Sequence, residues 1–241
     1  MLPPASYYFR MLIGIAGMVG SGKSTLTRAL ATRFGLQHAL ESVDEQNPWL
    51  ERFYAGGVEA MRATALNLQL YFLATRFESM RRMRGAGGSW VLDRTWYEDA
   101  EIFARGHFDE GLMSELEWEL YRRLYVELLH SPVARPPRLL VYLHAPLDTI
   151  VERIRSRGRA KERETPIEYW AALHARYERW IGRFRACPVL SLDVREYDLV
   201  ADPAAIEAIA ARVRTRLEPE LPQTELFPGE LRAPAGAIGA P

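Results

Sequence analysis

The chain has 241 residues, of which 48% are hydrophobic and 26% charged. This length and composition fit one α/β domain with a sizeable hydrophobic core. Lys and Arg together number 31, as do Asp and Glu, so the formal net charge is zero. A neutral chain has no global basic field to attract nucleic acid or an anionic membrane surface, and we expect neither as a partner.

Cysteine and histidine usage narrows the class further. Cys187 is the only cysteine, which excludes an intrachain disulfide and is typical of a reducing, cytoplasmic protein. The five histidines are scattered without zinc spacing, so we expect no structural zinc site. No apolar run approaches the roughly 20 residues that a membrane span needs.

The sequence predicts one domain with two irregular ends. We expect residues 1–10 to form a disordered leader, because they lack a secretory apolar region. Residues 218–241 are rich in Pro, Gly and Ala and are expected to form a flexible C-terminal tail. Residues 11–217, between these two ends, are therefore expected to form the folded domain.

Strand and helix patterns alternate along this domain. Short apolar runs predict strands at 11–16, 37–40, 90–92, 138–143 and 189–192. Helical spacing of apolar residues predicts helices at 23–34, 47–54, 58–84, 96–104, 113–129, 146–155, 166–184 and 203–217. This alternation indicates an α/β fold with a five-stranded parallel sheet and helices on both faces.

The turn after the first predicted strand carries a phosphate-binding motif. Residues 17–24, GMVGSGKS, match G-x-x-x-x-G-K-[ST] between a strand and a helix, which is the context that the P-loop requires. Its glycines let backbone N–H groups face an anion, and the helix N-terminus adds positive charge. Lys23 is expected to reach the β- and γ-phosphates, and Ser24 to bind Mg²⁺. The predicted ATP-binding residues of this segment are Gly17, Met18, Val19, Gly20, Ser21, Gly22, Lys23, Ser24 and Thr25.

A P-loop predicts nucleotide binding without choosing the reaction. A GTPase would need an Asn-Lys-x-Asp tetrapeptide, yet the only lysines, Lys23 and Lys161, do not follow an asparagine. A motor or transporter ATPase would need a longer chain. The sequence therefore favours a kinase.

Further segments, in order, are LESV, NPWLERFY, LQLYFLATRF, LDRTWYEDAEIFA, RIRSRGRAKERETPIEYW and LDVREYD. Together with the P-loop they resemble the deoxynucleoside kinase family, in particular its deoxyadenosine, deoxyguanosine and deoxycytidine kinases. The resemblance runs over roughly residues 11–200. It implies a P-loop nucleoside-kinase fold with an arginine-rich lid, ATP and Mg²⁺ as cofactors, and a homodimer formed through long helices.

The same resemblance assigns the catalytic residues. It implies that Glu41 is the general base that takes the proton from the nucleoside 5′-hydroxyl. The family usually has Pro after this glutamate, whereas this chain has Ser42. Asp93, at the end of a predicted strand, is expected to hold Mg²⁺ or its water. Arg94 is expected to bind phosphate and to hold Glu41 in place, because its guanidinium makes paired hydrogen bonds to an oxyanion.

The resemblance also implies the substrate-binding residues. The base-binding set is Gln69, Arg76, Asp99 and Phe103, and the ligands of the deoxyribose 3′-hydroxyl are Tyr54 and Glu162. Arg76 with Asp99 is the combination that the family links to deoxycytidine, deoxyadenosine and deoxyguanosine rather than to thymidine. The segment between Tyr54 and Gln69 is a few residues longer than the family pattern, so the insertion could move the tyrosine.

An arginine-rich stretch is the predicted lid. Arg153 and Arg157 share one helical face, and Arg159 follows them. As a lid, these side chains would close over the phosphates and neutralise charge during transfer. A solvated basic helix end is the alternative reading of the same stretch. Residues 193–198 are expected to hold the ATP base.

These observations predict an ATP-dependent kinase that phosphorylates the 5′-hydroxyl of a deoxynucleoside, with deoxyadenosine or deoxyguanosine favoured and deoxycytidine a further candidate. One alternative is a nucleoside monophosphate kinase of the thymidylate type, which would need an anchor for the acceptor phosphate and no base at Glu41. Another is a non-catalytic nucleotide-binding relative, which should tolerate the loss of Lys23, Glu41 or Arg94.

Overall fold

A parallel sheet forms the centre of the protein, whose computed structural model describes residues 11–40, 47–158 and 165–217. Within these residues the sheet has five strands in the order β2-β3-β1-β4-β5, and every neighbouring pair is parallel. The strands are β1 (Met11–Gly17), β2 (Gln37–Ala39), β3 (Ser89–Asp93), β4 (Leu139–His144) and β5 (Val189–Asp193). The predicted five-stranded parallel sheet is therefore confirmed.

Helices connect successive strands. They are α1 (Lys23–Phe34), α2 (Pro48–Ala55), α3 (Gly57–Ala86), α4 (Trp96–Glu98), a π-helical turn (Asp99–Ala104), α5 (Arg105–Asp109), α6 (Glu115–His130), α7 (Leu147–Arg157), α8 (Ile167–Arg183) and α9 (Pro203–Leu217). The segment predicted as a helix at 96–104 is helical throughout, but most of it is a π-helical turn, and α5 continues beyond it. The predicted bounds of α1 and α9 agree with the structure.

Helices cover both faces of the sheet, as the continuous apolar strands require. Every residue of β1 is buried. One core cluster contains Leu26 of α1 and Tyr177 of α8. The other contains Leu68 of α3 and Tyr121 of α6. No helix within the described residues is long and apolar enough to cross a membrane.

The strand order brings the sequence motifs to one edge of the sheet. Strand β1 lies between β3 and β4. The strands β2 and β3 lie on one side of β1, and β4 and β5 lie on the other, so the order in which the chain adds strands reverses at β1. Ile15 of β1 pairs with Asp93 of β3, and Gly17 pairs with Leu143 of β4. The P-loop and Asp93 thus meet at the carboxyl ends of the strands, beside the switch point where open α/β sheets bind ligands.

The expected leader at 1–10 and the expected tail at 218–241 lie outside the described residues, so the domain limits stay a prediction.

Candidate active site

The P-loop has a backbone that only glycine adopts easily. Gly17, Gly20 and Gly22 have φ angles of 146°, 83° and 94°. A Cβ atom on Gly17 would lie 2.5 Å from the carbonyl oxygen of Leu143, and one on Gly20 would lie 2.9 Å from Cγ1 of Ile154. Both positions therefore need glycine for space as well as for conformation.

The residues between these glycines complete the loop. Met18 accepts hydrogen bonds from Ser21 N, at 3.1 Å, and from Lys23 Nζ, also at 3.1 Å. Val19 packs against the core, and Thr25 lies in the first turn of α1. The lysine is folded back over the loop, at the N-terminus of a helix that begins after a left-handed Gly22 without a side-chain cap. Uncapped N–H groups and a nearby ammonium form a site for anionic phosphate.

The two predicted metal residues are in contact. Ser24 Oγ donates a hydrogen bond of 2.5 Å to Asp93 Oδ2, and Asp93 is buried at the end of β3. The other carboxylate oxygen, Oδ1, is buried without a hydrogen-bond partner among the residues described. An unpartnered buried carboxylate oxygen indicates that a ligand belongs there.

This donor set fits Mg²⁺. Magnesium is usually held by one or two protein oxygens, with waters and substrate phosphates filling the remaining positions. In the described ranges no group of three or more His, Cys, Asp or Glu residues could hold a metal. Asp93 and Ser24 beside a phosphate-binding loop are consistent with a nucleotide-bound Mg²⁺ rather than with a metal site made only by protein.

Arg94 adopts a strained backbone at the centre of the site. Its φ of 65° is the only positive φ outside glycine in the part of the chain that the structure describes. Its N–H donates to Ile15 O at 2.9 Å, and Nη1 donates to the Tyr177 hydroxyl at 3.1 Å. The guanidinium carbon lies 4.6 Å from the centre of the Phe103 ring, a cation–π contact. Strain of this kind collects at functional sites.

Arg76 and Asp99 form a buried ion pair. Arg76 Nε and Nη2 donate to the two Asp99 oxygens at 2.8 and 3.2 Å. Arg76 Nη1 also donates to the backbone oxygen of Arg94 at 3.4 Å. Asp99 begins the π-helical turn, which also carries Phe103, and such turns are frequent at functional sites. The structure therefore brings Arg76, Asp99, Arg94 and Phe103 together.

Gln69 lies on the same long helix, α3, two turns before Arg76. Its side chain is buried, and Nε2 lies 3.4 Å from Nδ1 of His107. Its Oε1 has no partner within the described structure. Burial, and then the charge of Arg176, lower the pKa of His107 to about 4, so the ring is neutral at pH 7. Sequence reasoning missed His107, because a lone histidine carries no spacing signal.

Tyr54 is the predicted sugar ligand that lies within the described residues. It lies near the end of α2, is 51% exposed and is hydrogen-bonded to Tyr169. Its neighbour Phe53 is buried instead, and its ring stacks on His107 with centroids 4.9 Å apart. The inserted segment is helical and forms the start of α3.

The predicted lid arginines lie on α7, next to the P-loop. Arg153 donates from Nη2 to the backbone oxygen of Val194 at 2.9 Å, and Arg157 is exposed in the last turn. Helix α7 contacts the loop where Ile154 meets Gly20. Leu199, just after the predicted ATP-base loop, lies against Gly22. The loop at 193–198 is therefore adjacent to the P-loop.

Three predicted residues lie outside the described structure. Glu41 falls within 41–46, and Glu162 falls within 159–164 together with Arg159. Ala39 of β2 pairs with Leu92 of β3, so β2 runs toward the same sheet edge as Asp93. Leu40 follows the last residue of β2, and Glu41 is the next residue in the sequence.

Glu98 is a buried carboxylate that sequence reasoning did not select. It accepts hydrogen bonds from Thr95 N and from Gly17 N, at 2.9 and 3.3 Å. Thr95 and Glu98 form a capping box at the start of α4. The pattern Thr-Trp-Tyr-Glu matches the capping-box signature and could have drawn attention to this residue.

Comparisons with known proteins agree with this geometry. A family model described as "Deoxynucleoside kinase" matches residues 13–218. The deoxyadenosine/deoxycytidine kinase of Bacillus subtilis is 44% identical over 202 residues, which cover 84% of this chain and 91% of that protein. The deoxyguanosine kinase of Lactobacillus acidophilus is 33% identical over 218 residues, with 86% and 91% covered.

A solved structure of deoxyadenosine kinase from M. mycoides with bound dATP has a TM-score of 0.70 and 26% identity, covering 85% of this chain and 100% of that one. These findings confirm the family and the reaction class that the motifs predicted. The chain belongs to the deoxynucleoside kinase family and is an enzyme of that family.

Proposed function

We propose that this kinase transfers the γ-phosphoryl group of ATP to the 5′-hydroxyl of a deoxynucleoside whose base presents an amine beside an unprotonated ring nitrogen, as adenine and cytosine do, with deoxyadenosine preferred. The observation that carries the proposal is the buried Gln69 amide, whose Oε1 is unpartnered and whose Nε2 contacts His107. The reaction mainly requires positioning and charge neutralisation.

The phosphate end of the site supplies the neutralising groups. Lys23 and the N-terminus of α1 would bind the β- and γ-phosphates. Ser24 and Asp93 would hold Mg²⁺, which when bound neutralises charge on the phosphate oxygens. Arg94 would contact the transferred group, and Arg153 and Arg157 would approach from α7.

The nucleoside end would position the acceptor. Glu41 would take the proton from the 5′-hydroxyl, while Tyr54 and Glu162 would bind the 3′-hydroxyl. Phe103 would stack on the base, and the ion pair of Arg76 and Asp99 would border it. A carboxylate within about 3 Å of the hydroxyl suits proton removal.

The Gln69 amide favours bases that present an amine beside an unprotonated ring nitrogen. An amide nitrogen has two hydrogens, and contact with neutral His107 uses one of them. The second hydrogen and the free Oε1 match N1 and the N6 amine of adenine, or N3 and the N4 amine of cytosine. Guanine presents an oxygen and an N–H in those places, so we expect deoxyguanosine to be a poorer substrate than deoxyadenosine.

A substrate panel tests this proposal. The four deoxynucleosides, dAMP and dTMP would each be incubated with ATP and Mg²⁺, and kcat/KM measured from ADP release and product separation. We expect deoxyadenosine to be phosphorylated best and deoxycytidine next, with little turnover of thymidine or of either monophosphate. A preference for deoxyguanosine would contradict the base assignment, and phosphorylation of dTMP would contradict the acceptor assignment.

A substitution at Glu41 tests the proposed base. Glu41→Gln should lower kcat by about 10²–10⁴-fold, because the amide does not accept the proton. Glu51→Gln is a matched control, since Glu51 is an exposed glutamate on α2. Equal activity of the two variants would rule out Glu41 as the base.

We further propose a homodimer. Leu116, Leu120 and Leu124 share one face of α6 and are 84%, 48% and 42% exposed. An exposed apolar stripe on a helix is typical of an interaction surface. Leu120→Glu should give a monomer in light scattering, whereas Val200→Glu, on a highly exposed loop residue, should not. A monomeric wild-type chain would contradict the proposal.

A cytoplasmic location is also proposed. It is supported by Cys187, which is the only cysteine and therefore excludes an intrachain disulfide. A chain whose cysteine content allows no disulfide within it is typical of proteins from reducing compartments.

A further inference from the structure

The buried carboxylate of Glu98 makes more contacts than its capping role needs. Oε2 accepts from Thr95 N at 2.9 Å, which is the Glu98 side chain's part of the capping box, and also from Thr95 Oγ1 at 3.4 Å. Oε1 accepts from Gly17 N at 3.3 Å and from the Tyr177 hydroxyl at 3.0 Å. The capping box accounts for Oε2 alone, so the contacts of Oε1 need another explanation.

Those additional contacts lead to Arg94. The Tyr177 hydroxyl donates to Glu98 and accepts from Arg94 Nη1 at 3.1 Å. Tyr177 is buried on α8 and stacks with Tyr142 of β4. A continuous path therefore runs from the Arg94 guanidinium through Tyr177 and Glu98 to the first residue of the P-loop, Gly17.

The path joins two groups that would touch the same phosphate. Gly17 begins the loop that carries Lys23, and Arg94 stands on the neighbouring strand end with a strained backbone. A residue in such a conformation persists only when its surroundings hold it there. Hydrogen bonds in series also polarise and strengthen one another in a buried site.

The electrostatics of the cluster agree with this arrangement. Burial raises the pKa of Glu98, and the charges of Arg94 and then Lys23 oppose that rise. The carboxylate thus lies within the field of both cations that are expected to bind phosphate. It is fully buried, so a substitution there acts on these partners rather than on solvent.

We infer that Glu98 and Tyr177 are positioning residues, which hold the Arg94 guanidinium and the P-loop in one geometry so that the γ-phosphoryl group is aligned for transfer. The inference rests on the proposed role of Arg94 in binding that group. Neither residue needs to touch the substrate, since each acts through Arg94 or Gly17. Small misplacement of a phosphate-binding group is costly to phosphoryl transfer.

Tyr177→Phe is the main test, because it removes only the hydroxyl and leaves the ring in the core. We expect kcat to fall by about 10–100-fold, with the KM values for ATP and deoxyadenosine changed less than about threefold. Tyr142→Phe is the matched control, because Tyr142 is also a buried residue and its hydroxyl donates at 2.9 Å to Glu178, outside the path. We expect Tyr142→Phe to keep nearly the wild-type kcat, while its Tm falls by about as much as the Tm of Tyr177→Phe.

Glu98→Gln and the double variant complete the test. The amide group cannot accept at both former oxygens, so the single variant should lower kcat as Tyr177→Phe does. If the residues act in one path, the double variant should lose little more than the worse single variant. Losses that multiply, or a Tyr177→Phe enzyme as active as Tyr142→Phe, would overturn the inference. A wild-type enzyme that fails to phosphorylate deoxynucleosides would instead refute the proposed function.

Discussion

The side-chain amide of Gln69 lies against the ring of His107, with Nε2 and Nδ1 3.4 Å apart. The ring is held by stacking on Phe53 and is neutral at pH 7. A neutral imidazole that carries its proton on Nε2 offers an acceptor at Nδ1. If Gln69 reads the base as proposed, the contact fixes which end of its amide is turned toward that base, and it gives a residue outside the predicted site an influence on specificity.

His107→Leu should relax the choice of base. Without the acceptor, the Gln69 amide can turn and present Nε2 to an oxygen such as O6 of guanine. We expect the ratio of kcat/KM for deoxyguanosine over deoxyadenosine to rise about tenfold, the equivalent of one hydrogen bond. Steady-state kinetics with both nucleosides measures this ratio. His130→Leu, at an exposed histidine ending α6, should leave it unchanged, and an unchanged ratio in His107→Leu would contradict the role.

The same histidine should make stability depend on pH. Burial first, and then Arg176, lower its pKa from 6.5 to about 4 in the folded protein. Between these values the unfolded chain binds more protons than the folded chain, so the free energy of unfolding rises with pH and falls as pH drops. The loss from pH 7 to pH 4 should reach about 3 kcal/mol.

Urea unfolding across this range measures the effect in wild type and in His107→Leu. The variant should show a flatter curve between pH 6.5 and 4, whatever its stability at pH 7. His130→Leu should retain the wild-type slope. Parallel curves for wild type and His107→Leu would show that His107 does not titrate with a lowered pKa.

Asp93→Asn should disable the metal site. The amide removes the charge that would attract Mg²⁺ and weakens the hydrogen bond that Ser24 donates at 2.5 Å. We expect kcat to fall by about 10²-fold or more, with half-saturation shifted to higher Mg²⁺, because this metal neutralises charge during transfer. A magnesium titration of the initial rate gives both quantities. Asp109→Asn changes an exposed carboxylate paired with Arg105, and a comparable shift there would show a non-specific effect.

The ion pair of Arg76 and Asp99 should be costly to break from one side. Arg76→Met leaves Asp99 buried and uncompensated, so the free energy of unfolding should fall by about 3–5 kcal/mol. The double variant Arg76→Met/Asp99→Leu should recover part of the lost free energy of unfolding. Urea denaturation gives both values. Breaking the exposed pair of Arg105 and Asp109 should change stability by no more than about 1 kcal/mol, and an equal loss there would contradict the argument.

The sheet and most of its helices could be predicted from the sequence because their signals are local. Helix α1 begins after a glycine-rich loop and ends at Gly35, with Leu26 and Leu30 on its buried face. The P-loop spacing predicted Lys23 and Ser24, and the family resemblance predicted Asp93 at a strand end. The parallel register of β3 with β1 then brings Asp93 beside Ser24. Because parallel strands all end at the same edge of the sheet, motifs that follow these strands meet at that edge, whichever helices connect the strands.

The contacts that tune the site could not be predicted in this way. Glu98 is four residues from Arg94, yet its partners Gly17 and Tyr177 are 81 and 79 positions away. The π-helical turn is not expected from helix propensity, and it begins at the residue that pairs with Arg76 on α3. His107 on α5 contacts Gln69 on α3, and this contact depends on tertiary packing alone.

Arg76 has a consequence for how this enzyme can change. The guanidinium that borders the proposed base pocket also donates to the backbone oxygen of Arg94, the residue proposed to bind phosphate. A substitution that widens the pocket at Arg76 therefore removes support from the strained turn that carries Arg94. Selection for new nucleosides, in nature or in the laboratory, should proceed through Gln69 and His107, where the reading of the base is separable from turnover.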